Sequence, residues 1–152
     1  MTTQARYIIP SLGNIWEKFG DLAWPMMRIF YGLFYIPHGF QKLFGLWGGD
    51  IARTAKTIEG IGFTPGIAWA YYIAILEVFG GILLVLGLWT RPVALLFAGF
   101  MVVGAFAVHM NIGYFWTARG MEMPLLLLLL ALPLVLRGAG DYSLDKKIGR
   151  EF

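Results

Sequence analysis

LAWPMMRIFYGLFYIPHGFQKLFG, residues 22–45, decides how this chain is read. The stretch is apolar over a length that would cross a bilayer, at ~20 residues per span. It nevertheless carries Arg28, Tyr31, Tyr35, His38 and Lys42. Steps of three and four separate these five residues, which puts them on one face of an α-helix. Ionisable groups are costly inside a bilayer and usually face a bundle interior, where they pair, bind or conduct. The stripe therefore predicts a membrane-spanning helix whose polar side is turned onto other helices.

Three more apolar stretches follow, so spans are predicted at 22–45, 66–89, 92–110 and 121–137. Asp21 reads as the N-cap of the first, and Pro37 predicts a kink beside His38. Thr64-Pro65 reads as the N-cap and first-turn pair of the second. There Glu77, Gly80, Gly81, Leu84 and Gly87 share one face, and the glycines let another helix approach closely. Thr90-Arg91-Pro92 is a very tight turn, which makes spans two and three antiparallel neighbours. In span three Ala94, Ala98, Val102, Ala105 and His109 share a side. Span four is short for a full crossing and would need local thinning or interfacial anchoring.

Outside the spans, Ile8, Leu12, Ile15, Trp16 and Phe19 recur at helical spacing, so 1–21 reads as an amphipathic surface helix. That segment lacks the compact apolar core and cleavage site of a secretory signal, so it is expected to be retained. Residues 51–61 predict a short surface helix, 111–120 an aromatic loop, and 138–152 a cytoplasmic tail with a short helix capped by Ser143. The expected fold class is all-α: one membrane domain over 1–152, an integral membrane four-helix bundle with an N-terminal amphipathic surface helix and a short C-terminal helix.

Composition agrees with this. Hydrophobic residues make up 59% of the chain and the mean hydropathy is +0.69, against roughly 45–50% apolar for soluble domains. Cysteine is absent, which excludes disulfides, thiolate metal sites and a thiol relay within the chain. The net charge of +3 contains no block of like charges, so no nucleic-acid partner is expected. With both termini on one side, that side holds Arg6, Lys18, Arg91, Arg137, Lys146, Lys147 and Arg150; the other holds Arg53, Lys56 and Arg119, with Lys42 at its boundary. The positive-inside bias places both termini in the cytoplasm.

Orientation assigns depth at ~1.5 Å per residue. His38, Gln41, Lys42, His109, Asn111 and Glu122 are expected near the outer face, as a polar chamber. Arg28 and Glu77 lie deeper and are expected to form a structural ion pair, because an unpaired charge there is very costly.

The motifs resemble one known family. Arg28-x3-Gly32-x-Phe34-x3-His38-Gly39-x2-Lys42-Leu43-Phe44-Gly45 resembles the first-helix signature of the DoxX family, and Glu77-x2-Gly80-Gly81-x-Leu83-Leu84-x2-Gly87-Leu88-x-Thr90-Arg91 its second. Gly120-x-Glu122-x-Pro124 and Gly138-x-Gly140-x-Tyr142-Ser143-Leu144-Asp145 resemble its fourth-helix entry and C-terminal motif. The resemblance covers Arg28 to Asp145. It implies a four-helix protein of the cytoplasmic (inner) membrane. It also implies association with quinone-linked oxidoreduction, as in the small subunit of thiosulfate:quinone oxidoreductases, or with oxidative-stress complexes. It carries no residue-by-residue catalytic roles.

The leading functional expectation is a quinone-interacting subunit of a membrane oxidoreductase complex. A quinone needs an apolar slot open to lipid, with hydrogen-bond partners and proton carriers for its oxygens. His38, Lys42 and Glu122 are the candidate catalytic groups; Tyr31, Tyr35, Gln41, His109 and Asn111 are the candidate ligand-binding groups, with Trp47 at the slot. Nothing in the sequence suits a flavin or an iron–sulfur cluster, so electrons would come from a partner redox protein. The expected partner is that redox protein or a second copy of the chain (a homo-oligomer), and one alternative function is a non-enzymatic scaffold that recruits or stabilises a partner, or a small-solute carrier. A weaker one is a haem or metal site at His38 and His109, which Lys42 would disfavour; neither haem nor metal is expected.

Overall fold

The computed structural model describes residues 7–151, and every described regular element is helical. Seven helices follow in order: α1 (Pro10–Phe19), α2 (Ala23–Phe44), α3 (Ile51–Gly60), α4 (Gly66–Leu86), α5 (Thr90–His109), α6 (Glu122–Arg137) and α7 (Leu144–Ile148). Residues 1–6, including Arg6 of the charge count, lie outside the described residues.

Local chemistry accounts for the boundaries, not always as expected. α2 runs unbroken through Pro37 and stops at Gly45, whose φ of 67° is the left-handed turn that favours glycine. Asp21 does not cap it: the N-cap is Leu22, and Asp21 lies in a 3-10 turn that joins α1 to α2. Asp50 caps α3, its carboxylate accepting from Ala52 N at 2.8 Å and Arg53 N at 3.3 Å. The N-cap of α4 is Pro65 rather than Thr64, and Gly66 N donates instead to Glu59 Oε1 at 2.9 Å. Across the tight turn, α5 starts at Thr90, two residues earlier than predicted. Asp145, from far along the chain, accepts from Trp89 N at 2.9 Å and Thr90 N at 3.1 Å. Ser143 caps α7 as expected.

Among the described residues two helices, α4 and α5, are long and apolar enough to cross a membrane, and only 44% and 33% of their most apolar windows are buried. The core helix of a soluble protein would be mostly covered, so these faces suit a lipid environment. α2 is long enough, but its polar stripe dilutes its hydropathy; α6 has 16 residues. Phe30, Phe79, Leu95, Leu129 and Leu136 are exposed while Arg28 and Glu77 are buried, an apolar exterior around polar interior groups.

α2 and α4 pack antiparallel with their backbones almost touching. A Cβ on Gly32 would lie 2.5 Å from Gly81 O, and one on Gly39 would lie 2.8 Å from Ala74 O. α5 packs along α6. Tyr31, Tyr35, Leu84, Phe97, Leu127 and Leu134 fill the centre, with Tyr35 and Phe97 stacked at 4.1 Å. α3 lies on the first half of α4 through Ala55, Ile58 and Ala70.

Candidate functional site

Lys42 and Glu77 form the centre of the site. Lys42 Nζ donates to Glu77 Oε1 at 2.8 Å and Oε2 at 2.7 Å, and to His38 O at 3.4 Å. The ion pair expected between Arg28 and Glu77 is therefore not formed. Helical side chains lean toward the N-terminus of their own helix. With Gly32 opposite Gly81, Glu77 stands level with Ile36 and leans toward Lys42. Arg28 lies eight residues further along, about 12 Å away, and leans in the opposite direction. Its guanidinium donates to Leu84 O at 2.5 Å, Val85 O at 3.0 Å and Tyr142 O at 2.9 Å. Asp145 is the carboxylate with which it interacts electrostatically. Arg28 thus ties α2 to the end of α4 and to the C-terminal segment.

A cavity of about 250 Å³ opens beside this pair, lined by Lys42, Thr54, Thr57, Phe100, Met101 and His109 among others. An apolar groove of about 270 Å³ runs between α4 and α5, with Trp69, Tyr72, Leu95 and Gly99 on its walls. Ile58, Ile73, Phe100, Gly104 and Val108 line both spaces, so the groove adjoins this chamber along a common wall, and Lys42, Thr54, Thr57 and His109 are the chamber's polar side chains. The combination accommodates an amphipathic molecule, with its polar end at Lys42 and its apolar part between the helices.

Glu77 and His109 lie in stretches where their helices loosen into π-type turns, Leu76–Gly80 in α4 and Val103–His109 in α5. Such turns recur at functional sites because the extra residue redirects side chains. Val102, expected on the inner side with Ala94, Ala98 and Ala105, is 44% exposed and Met101 is buried in its place, because two four-residue steps from Ala94 drift about 80° off the face at 3.6 residues per turn. His109 Nδ1 is 2.6 Å from Arg119 O. A carbonyl only accepts, so Nδ1 carries the hydrogen and a neutral His109 keeps a bare Nε2.

The other predicted site residues are placed differently. His38 is exposed on the outer side of α2 against Phe34, with ring centroids 5.1 Å apart, and does not line the chamber. Tyr31 and Tyr35 belong to the core: their hydroxyls are 3.3 Å apart and Tyr31 donates to Leu127 O at 3.0 Å. Gln41 donates to Trp47 O at 3.4 Å, and Trp47 is 71% exposed. Glu122 accepts from Trp116 N at 3.0 Å and so organises the loop before α6; Asn111 is exposed. His38 and His109 share no cavity, and among the described residues no three His, Asp or Glu side chains converge on a point where a metal would sit.

Residue-by-residue reading missed Thr54, Thr57 and Gly104 in the chamber wall. The two threonines were visible as the polar positions of an amphipathic helix, but nothing in the sequence shows where α3 docks. It also missed Asp145, although that residue closes the C-terminal motif.

A family model described as DoxX matches residues 23–110. A Bacillus subtilis protein named "Putative oxidoreductase CatD" is 32% identical over 129 residues, covering 85% of this chain and 89% of that protein. The "Inner membrane protein YqjF" of Escherichia coli is 28% identical over 141 residues, with coverages of 90% and 99%. A Haemophilus influenzae protein is 31% identical over 138 residues, with coverages of 88% and 96%. No solved structure matches the chain.

Proposed function

Because this chain belongs to the DoxX family of membrane proteins, we propose that it is a quinone-binding subunit of an oxidoreductase complex in the cytoplasmic membrane. In this reading α2, α4, α5 and α6 are the four spans, both termini are cytoplasmic, and electrons come from a partner redox protein. The observation that supports the proposal is an apolar groove that shares five wall residues with a chamber lined by Lys42 and His109. A quinone is a flat polar head on a long apolar tail, and it needs those two environments joined. The names of two relatives, an oxidoreductase and an inner membrane protein, point the same way.

Within the chamber, Lys42 Nζ would donate to a head oxygen by redirecting one of its present hydrogen bonds. Glu77 would hold the ammonium charged and in position. Thr54 Oγ1 and Thr57 Oγ1 already donate to Asp50 O and Arg53 O, each at 3.1 Å, and so present acceptor lone pairs only. Groove residues Phe100 and Trp69 would cover the tail and keep water from it.

The test is steric. Gly99 and Gly104 line the groove, and Gly104 also lines its junction with the chamber. A Cβ meets nothing within 4 Å at Gly99 and no atom closer than 3.7 Å at Gly104. Gly99→Leu and Gly104→Leu should therefore fold while filling the passage. Binding of decylubiquinone to the full chain in lipid nanodiscs, read by tryptophan fluorescence quenching, should weaken about tenfold or more in each. Unchanged affinity in both variants, or no binding by the unaltered protein, would count against the quinone reading. In that event the scaffold and carrier alternatives take its place.

A further inference from the structure

The chain has two histidines, and only one of them lines the chamber. Resting on the quinone reading of that chamber, we propose that His109 is the residue that distinguishes the oxidised from the reduced form of the bound head group. Its Nδ1–H is committed to Arg119 O at 2.6 Å, so only Nε2 is free to meet a ligand. Neutral, Nε2 accepts a hydrogen bond and suits the hydroxyl of a quinol. Protonated, it donates and suits the carbonyl of a quinone.

The other polar groups of the chamber do not switch in this way. Lys42 donates in every state, with its hydrogen bonds directed at Glu77 and His38 O. Thr54 and Thr57 have their hydrogens placed on backbone carbonyls. The charged group that lines the chamber with His109 is Lys42 from α2, paired with Glu77 of α4; Arg119 meets His109 through its backbone carbonyl, and Glu122 at the start of α6 is held by Trp116 N. From α3 the uncharged Thr54, Thr57 and Ile58 line the chamber; Arg53, Lys56 and Glu59 are exposed.

Two measurements on the full chain in nanodiscs test this. The affinities for decylubiquinol and decylubiquinone are compared as a function of pH. In the unaltered protein the preference for the quinol should rise with pH by about tenfold, the effect of one charge-assisted hydrogen bond. His109→Asn, whose Nδ2 can still donate to Arg119 O, should remove that dependence while both probes still bind. His38→Asn should leave it intact. Binding without the pH-dependent preference, or a preference that survives in His109→Asn and disappears in His38→Asn, overturns the assignment but leaves the quinone reading standing. No binding of either probe by the unaltered protein overturns both. Independently of any variant's folding, ¹⁵N NMR of the histidine rings should show the neutral His109 protonated at Nδ1. A neutral ring protonated at Nε2 would reject the inference.

Discussion

At Lys42 and Glu77, whose side chains are 19% and 4% exposed, the two ends of one ion pair have different escape routes. A lysine that loses its partner has a flexible stem with which to reach the polar surface, whereas a buried carboxylate that loses its lysine has none. Lys42→Met should therefore cost about 3–5 kcal/mol. Glu77→Gln, which still offers an oxygen to the ammonium, should cost about 1–2 kcal/mol. The double change Lys42→Met/Glu77→Leu should recover most of the loss, because it removes both charges at once. Thermal unfolding in detergent measures all three, and equal losses for the two single variants would contradict this asymmetry. The residue scale also shows where sequence reading works. That Glu77 and Arg28 are buried and partnered follows from the cost of a charge among apolar residues. Which partner each one takes depends on the direction in which helical side chains lean once two helices are in register.

Among the elements, α5 is completed by a residue 55 positions away, since Asp145 accepts from Thr90 N as well as from Trp89 N. The segment carrying it is held from the other side by Arg28, which donates to Tyr142 O. Gly87, with φ of 67°, lets this junction close: a Cβ there would lie 2.4 Å from Arg28 Nη1 and 2.5 Å from Ser143 Cβ. Asp145→Ala should lower stability by about 1–2 kcal/mol, the value of a good N-cap. Asp145→Asn, keeping one acceptor oxygen, should fall between Ala and the unaltered protein. Chemical or thermal unfolding would show this order, and a neutral Asp145→Ala would remove the cap from the account of the fold. The close-packed face of α4 was legible as Glu77, Gly80, Gly81, Leu84 and Gly87, all of which are buried. The π-type turns were not, because a single inserted residue leaves no signature in a pattern read at 3.6 residues per turn.

For the whole molecule, the number of crossings is the quantity to measure: among the described residues, α4 and α5 alone satisfy both length and hydropathy. The absence of native cysteine makes it directly measurable. Lys56→Cys and Arg150→Cys place single thiols at exposed positions in α3 and in the tail. With four crossings and cytoplasmic termini, a membrane-impermeant maleimide added to spheroplasts should label Lys56→Cys, and Arg150→Cys only after permeabilisation. Labelling of both from the same side would mean two crossings, and the reverse pattern would invert the orientation.

Composition and periodicity establish that the chain is helical and that an apolar exterior surrounds the internal Arg28 and Glu77, while the quoted motifs carry the resemblance to the DoxX family. Helicity and the apolar exterior are encoded locally, by neighbouring residues along a single helix. The packing of the helices sets that Lys42 rather than Arg28 meets Glu77, that His109 rather than His38 lines the chamber, and that α3 forms one of its walls. Each of these depends on the relative register and rotation of helices distant in sequence. A side chain's position on its own helix does not specify the neighbour it will face.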